Sequence, residues 1–213
     1  YVVRMLGLFM VLPLIAIYSA DLAGATPFLL GLAVGAYGLT QASLQIPMGW
    51  LSDRIDCRLV IILGLAMLVL GSVVAALSTS IWGVVLGRFL QGAGAIASAT
   101  MALVADYTRA EQRAKASAII GGSIDIAFGI ALVSGPALAS FGGLQAVFAA
   151  TAMLALLGMV VVAFLPKPQR FSREELSSGS GFQRSRLAQV LRIRSLNVMY
   201  LSIFFLHLTL MAV

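Results

Sequence analysis

Long apolar runs recur along this chain, and they constrain its fold more than any other feature. A helix needs about 20 apolar residues to cross the hydrocarbon core of a bilayer. The runs lack the alternating pattern of membrane β-strands, and a backbone in lipid must satisfy its own hydrogen bonds, so we predict helices. The predicted spans lie near residues 1–20, 29–51, 59–78, 82–104, 116–138 and 144–165, and a seventh begins near 196.

Composition supports a membrane protein and argues against an enzyme. Of 213 residues, 61% are hydrophobic and 10% are charged, against about 45–50% and about 25% in soluble domains. The single cysteine, Cys57, excludes an intrachain disulfide. One histidine and one cysteine supply neither a nucleophile with its base nor a metal cluster, and no ATP-binding glycine-rich loop is present. We therefore expect no enzymatic activity and no cofactor.

The basic residues indicate how the chain is oriented. Twelve of the 14 Lys and Arg residues lie in alternate connecting segments, which favours membrane topology over a nucleic-acid partner. These segments are 52–58, 105–115 and 166–195, whereas 21–28, 79–81 and 139–143 contain no Lys or Arg. By the positive-inside rule, the N-terminus and the basic segments are cytoplasmic.

The spacing of the spans predicts three regions. Residues 1–165 form a six-helix transmembrane bundle, 166–195 a basic cytoplasmic linker, and 196–213 the start of a seventh transmembrane helix. Residues 184–194 fit either a basic amphipathic helix on the membrane surface or a solvated linker. The lone His207 fits packing or a proton relay. The chain starts without Met and stops inside an apolar run, so we expect it to be truncated at both ends.

The loop after the second span carries a group of charges. Gly49 permits close helix packing, and Asp53 and Arg54 place opposite charges in a tight turn, where Asp53 is suited to cap another helix. Asp106 ends the fourth span on the same predicted face, so an ion-pair latch between the two loops is one hypothesis. The alternative is that Asp53, Arg54 and Arg58 are ordinary loop charges that set topology.

The fourth span contains an arginine within the predicted membrane. Arg88 lies about 9 Å along the helix at 1.5 Å per residue, on a face with Gln91, Gly92 and Ala95. Such a small and polar stripe belongs against protein or a cavity, and an intramembrane arginine there indicates a functional site. Snorkelling of the side chain to the membrane surface is the alternative.

The fifth span contains a carboxylate. Helical spacing places Gly121, Gly122, Asp125, Gly129 and Pro136 on one side. We expect the glycines to let another helix approach closely, mainly along the Gly121–Gly129 part. Asp125 fits either proton binding and release or a polar contact to a neighbouring helix.

These residues resemble three motifs of the major facilitator superfamily. The loop Gly49–Arg58 resembles motif A, Arg88–Ala95 resembles motif B, and Gly129 through Gly135-Pro136 resembles the antiporter motif C. The motifs occur in the family's order, on the matching helices and on the matching sides of the membrane. The resemblance covers all 213 residues, and motif C indicates the drug:proton antiporter branch.

The resemblance implies a transporter of two six-helix halves in a bacterial inner membrane, monomeric at full length. It would move a small amphipathic or drug-like molecule in exchange for protons by alternating access; a non-transporting scaffold or sensor is the alternative. The implied latch residues are Gly49, Asp53, Arg54, Arg58 and Asp106. Implied proton coupling involves Arg88 and Gln91, to which the residue pattern adds Asp125; implied helix packing involves Gly92, Gly94, Gly129, Gly135 and Pro136.

The chain departs from the family pattern at two places. Asp56 stands where motif A usually has Gly, and Cys57 stands where it usually has Arg. The latch thereby loses its usual cation, for which only Arg54 or Arg58 is placed to substitute. Motif C usually ends in Gly-Gly, whereas this chain has Ala139-Ser140, which is small but less permissive.

Overall fold

The computed structural model describes residues 1–18, 22–166, 198–199, 201–202 and 205. Nearly all of these are helical, and the described residues contain no strand. The chain divides into two compact units, Tyr1–Phe171 and Ser172–Val213, and the described residues of the second unit are helical. The predicted linker beyond Pro166, the surface helix at 184–194 and His207 lie outside the described residues.

The first unit is built from apolar helices. They are α1 (Val2–Tyr18), α2 (Pro27–Arg54), α3 (Cys57–Leu77), α4 (Ile81–Ala93), α5 (Ala97–Tyr107) and α6 (Arg113–Ala163), with a 3-10 turn at Ala110–Gln112 before α6. Among the residues that the structure describes, four stretches are long and apolar enough to cross a membrane: Pro27–Arg54, Cys57–Leu77, Ile81–Tyr107 and Arg113–Ala163. A shorter apolar helix covers Val2–Ile15. The predicted all-α membrane fold is confirmed.

Helix α6 contains two of the predicted spans. Its 51 residues would extend about 76 Å as a straight helix, more than twice the thickness of a bilayer core. The helix breaks at Gly142 and Gly143, where Gly143 has φ 62° and ψ −157°, a conformation that glycine adopts without steric cost. The first arm (113–141) and the second arm (144–163) therefore correspond to the predicted fifth and sixth spans.

Local capping explains where three helices begin. The side chains of Thr26, Asp56 and Ser80 each accept a hydrogen bond from a backbone N–H two or three residues further along. These bonds satisfy donors that the first turn of a helix leaves without partners. Pro27 occupies the first turn of α2, where its missing N–H costs nothing.

The fourth span differs from the prediction of one continuous helix over 82–104. It is broken between α4 and α5, where Gly94 has φ −75° and ψ 46°. A Cβ atom added at Gly94 would lie within 3.0 Å of the carbonyl oxygen of Gly64, and one added at Gly64 would meet the Ile96 side chain. The break thus coincides with the closest approach to α3, a long-range contact that local sequence does not reveal.

Loops predicted on the same side of the membrane lie together. Ala23, in the connection before α2, pairs with Ser80 before α4, and the N–H of Ile81 donates to the Ala23 carbonyl at 3.2 Å. At the opposite ends of the helices, the hydroxyl of Tyr107 donates to the carbonyl of Pro166. The grouping follows the predicted orientation.

Candidate functional site

A layer of buried polar side chains separates two apolar clusters in the first unit. One cluster includes Val11, Ala33, Ala75, Val84 and Phe148, and the other includes Val60, Leu68, Ile96, Ala99 and Ala155. Along α2, α3, the fourth span and α6, buried polar residues stand between members of the two clusters: Thr40, Ser72, Arg88, Gln91 and Thr151. Arg4 is also buried, on α1, which contributes to the first cluster. Such a layer is costly in an apolar interior unless its groups bond to one another or to a ligand.

Arg88 lies at the centre of this layer and is 1% exposed. Its Nε donates to the Ala33 carbonyl at 3.4 Å, and its Nη1 donates to Oε1 of Gln91 at 2.9 Å. The guanidinium also lies over the ring of Tyr37, with Cζ 4.6 Å from the centroid, a cation–π arrangement. The side chain is thus held inside the bundle, which excludes the snorkelling alternative.

Gln91 extends the network to α3. Its Nε2 donates to Oγ of Ser72 at 2.7 Å, and that hydroxyl donates to the Leu68 carbonyl at 2.7 Å. Arg88 is therefore connected to α2 through Ala33 and Tyr37, and to α3 through Gln91 and Ser72. A change in its position would be transmitted to both helices.

Two residues in contact with this polar network, Arg4 and Tyr37, were not identified as site residues from the sequence. Arg4 is 2% exposed, and its Nη2 donates to the Tyr37 hydroxyl at 3.1 Å. The ring of Tyr37 thus contacts one guanidinium at its face and another at its hydroxyl. A signal was present, because Arg4 and Arg88 are the two basic residues that lie inside predicted spans.

Glycines bring the helices close enough for these contacts. A Cβ atom at Gly92 would lie within 3.0 Å of Oγ1 of Thr40 and of the Tyr37 carbonyl. At Gly71 it would meet the carbonyl of Gly87 and the backbone N–H of Gln91 at the same range. Helix α4 therefore packs backbone to backbone against α2 on one side and α3 on the other.

The motif C-like arm of α6 is arranged differently from the expectation. A Cβ atom at Gly121, Gly122 or Gly129 would meet no described atom within 4 Å. The close approach is at Gly135, where the added atom would lie 3.1 Å from the Met10 carbonyl of α1. Within the described residues, no helix approaches the Gly121–Gly129 stripe, so the expected close approach there stays a prediction. That stripe is open because α1 covers only the other side of this arm.

Asp125 lies on the open side of the first arm of α6 and is exposed, as is Pro136. Within the described part of the chain, no salt bridge joins Asp125 to Arg4 or Arg88. The structure therefore does not bring the predicted proton-coupling residues together, since Arg88 and Gln91 are buried in the cluster and Asp125 is not.

The motif A-like loop begins against α5. A Cβ atom at Gly49 would lie 3.2 Å from Oγ of Ser98, so the small residue permits this contact. Asp53 is exposed. The guanidinium of Arg54 lies 3.8 Å from the centroid of the Trp50 ring, so this cation stacks on its own helix.

Arg58 binds within its own bundle. Its Nη1 donates to the Leu165 carbonyl at 2.6 Å, and its Nε lies 3.9 Å from Oδ2 of Asp56. Asp106 is half-buried, and among the described residues no salt bridge joins it to Arg54 or Arg58. In this conformation neither arginine pairs with Asp106 among the described residues, and the latch between the loops stays a prediction.

Cys57 contributes an apolar contact instead of a charge. The side chain is buried in the cluster with Val60 and Ile61, and its Sγ donates to the Ser52 carbonyl at 3.4 Å. An arginine at this place would have to leave the cluster to reach water or an acid, because an unpaired guanidinium in such surroundings is costly.

Comparison with known proteins places the whole chain in one family. The sequence model of the Major Facilitator Superfamily matches residues 1–213. The chain is 47% identical over 209 residues to the inner membrane transport protein YajR of Escherichia coli, covering 98% of this chain and 46% of that protein. It is 38% identical over 213 residues to an uncharacterized transporter of Buchnera aphidicola, covering 99% of this chain and 54% of that protein.

A more distant relative is the tetracycline resistance protein, class B, of Escherichia coli, at 30% identity over 157 residues, which cover 72% of this chain and 38% of that protein. The chain spans about half the length of the first two relatives. Its apolar helices and these relatives make it part of a multi-pass inner membrane protein. The match over its full length means that the chain belongs to the major facilitator superfamily.

Proposed function

We propose that this chain forms the first half of a secondary active transporter that exports a small amphipathic molecule in exchange for protons. The observation that supports this most directly is the burial of Arg88 in the membrane, where it joins α2, α3 and α4. A fixed charge costs several kcal/mol to bury. Membrane proteins retain such charges mainly where ions, protons or substrates pass.

Proton coupling is assigned to Arg88, Gln91 and Asp125. Asp125 takes up and releases the proton, since it is exposed on the open side of α6. Arg88, positioned by Gln91, responds to the resulting change in charge and moves α2 and α3 with it. Arg88 and Asp125 are not joined by a salt bridge in the described residues, so Asp125 acts on Arg88 through its electric field.

The open stripe of α6 is assigned to contact with the second half. Gly121, Gly122 and Gly129 have free space on that side, which suits close approach of another helix. Gly135 and Pro136 shape the outer part of the same arm, where Gly135 packs on Met10. Gly92 and Gly94 hold the opposite part of the bundle together.

The cytoplasmic loop is assigned to the latch between the halves. Asp53 is exposed there, and Gly49 and Arg54 fix the helix end that presents it. Arg58 holds the end of α6, and Asp106 lies near the end of the fourth span. In the closed state Asp53 and Asp106 would contact the second half.

The test uses the full-length protein reconstituted in liposomes with an imposed pH gradient. Uptake of tetracycline, ethidium and salicylate is followed, together with proton movement by a trapped pH dye. We expect gradient-dependent flux of at least one compound that a protonophore removes. An unchanged rate after the gradient collapses would eliminate proton coupling.

Matched variants assign the roles. Arg88→Lys keeps the charge but loses the planar fork that binds Ala33 and Gln91, and Asp125→Asn removes the titratable group. Both should abolish coupled flux with membrane insertion intact. The controls, Arg109→Lys and Glu111→Gln, lie on exposed positions of the connection before α6 and should transport normally.

The altered cytoplasmic loop supports one alternative, a membrane scaffold or sensor that keeps the fold. Cys57 is buried and Arg58 binds inside the bundle, so this loop lacks the usual motif A cation. Absence of flux for any compound in the panel, with correctly folded protein, would favour that alternative. Light scattering of the purified full-length protein tests the proposed monomer.

A further inference from the structure

Two buried guanidinium groups face the same tyrosine. Arg4 and Arg88 are 2% and 1% exposed, one bonding the Tyr37 hydroxyl and the other lying over its ring. Among the described residues, no carboxylate lies within 4.0 Å of either guanidinium. Two cations placed together in an apolar bundle repel each other and call for a compensating anion.

The arginines also carry donors that the described residues leave unused. Nε and Nη1 of Arg4 and Nη2 of Arg88 are buried and have no hydrogen-bond partner. Leaving a buried donor without an acceptor is unfavourable, and more so when the donor is charged. The other two nitrogens of the Arg88 guanidinium have acceptors: Nε donates to the Ala33 carbonyl and Nη1 donates to Oε1 of Gln91.

From this arrangement we infer that Arg4, Tyr37 and Arg88 form a binding site for the carboxylate of an amphipathic organic acid. A carboxylate offers two oxygens with about four acceptor positions, enough to give each of the three unused donor nitrogens an acceptor. The apolar clusters on both sides of the polar layer suit a hydrophobic body attached to that carboxylate.

The inference rests on the proposed function, because it names the chemical class of the transported molecule. Tyr37 lies about 15 Å along α2 from its first residue, well inside the membrane. Since both guanidinium groups are buried in this structure, the acid enters when the helices part during the transport cycle. Its carboxylate then lies between Arg4 and Arg88 and compensates their two positive charges.

Binding is tested on the full-length protein in nanodiscs, without any gradient. The probes are radiolabelled salicylate and hexanoate, each paired with its neutral amide, which has nearly the same shape. We expect saturable binding of the acids and at least tenfold weaker binding of the amides. Equal affinity for acid and amide, or no saturable binding of either acid, would overturn the site.

Variants locate the binding. Arg4→Met and Arg88→Met should each weaken binding of the acids at least tenfold, whereas Arg109→Met, a change at an exposed loop position, should leave it unaltered. Tyr37→Phe keeps both charges and removes only the hydroxyl, so it provides a test if a Met variant fails to fold, with weakening of about threefold. Unchanged affinity in Arg4→Met or in a folded Tyr37→Phe would contradict the site.

The two proposals fail separately. Charge-selective binding without proton-coupled flux would reject the transport mechanism and leave the carboxylate site standing. Coupled flux with equal affinity for acids and amides would reject the carboxylate site alone.

Discussion

Nη1 of Arg58 donates a hydrogen bond of 2.6 Å to the carbonyl oxygen of Leu165, 107 positions further along the chain. The bond connects the first turn of α3 to the residues just after α6. Cations are favourable at the C-terminal end of a helix, where carbonyl groups are left without partners. The hydrogen bond thus holds the beginning of α3 against the end of α6.

Replacing Arg58 should loosen this end of the bundle. Arg58→Gln removes the charged donor, and we expect the free energy of unfolding to fall by about 1–2 kcal/mol, because the side chain is mostly buried. Hydrogen exchange should accelerate at 161–165. Asp56→Asn keeps the helix cap and removes the weak ion pair, so its effect should be smaller. Equal stability of Arg58→Gln and the parent protein would show that the bond is dispensable.

Glycine-to-alanine substitutions should show which side of α2 is packed against α4 and which side is open. Gly92→Ala places a methyl group against Thr40 and the Tyr37 backbone, so we expect destabilisation of about 1–3 kcal/mol. Gly38→Ala, where nothing lies within 4 Å, should be neutral or stabilising by up to ~1 kcal/mol. Thermal unfolding of the purified variants measures both. The reverse order would mean that α2 and α4 do not pack as described.

Cys57 should resist thiol reagents in the folded protein. It is the only cysteine of the sequence and is 6% exposed, so maleimide labelling should be at least about tenfold slower than after denaturation. The control is Ser43→Cys in a Cys57→Ala background, since Ser43 is exposed on α2. Rapid labelling of Cys57 would place this loop in a different conformation.

Enlarging Gly129 should affect transport without unfolding the bundle. A Cβ atom added at Gly129 meets no described atom within 4 Å and the position is exposed, so we expect the stability of this unit to change little in Gly129→Leu. If the second half packs here, flux in the full-length protein should be lost, and Gly129→Ala should show an intermediate loss. Normal flux through a correctly folded Gly129→Leu protein would remove this stripe from the interface.

The sequence by itself determined the all-α membrane fold, the approximate spans and the small and polar face on which Arg88 lies. These depend on local properties, namely the length of apolar runs, the positions of basic loops and the helical period. The family resemblance, and not these local properties, implied helix packing at Gly92 and Gly94, and both glycines have close neighbours on other helices in the structure.

Only the tertiary structure decided which residues meet. It placed Arg4 at the hydroxyl of Tyr37 and Arg88 over its ring. It also took Arg58 to Leu165, broke the fourth span after Ala93 and packed Gly135 of α6 against Met10 of α1. Each of these depends on contacts between helices far apart in the chain. The helical period gives the face that a residue occupies, but the packing of other helices selects its partner.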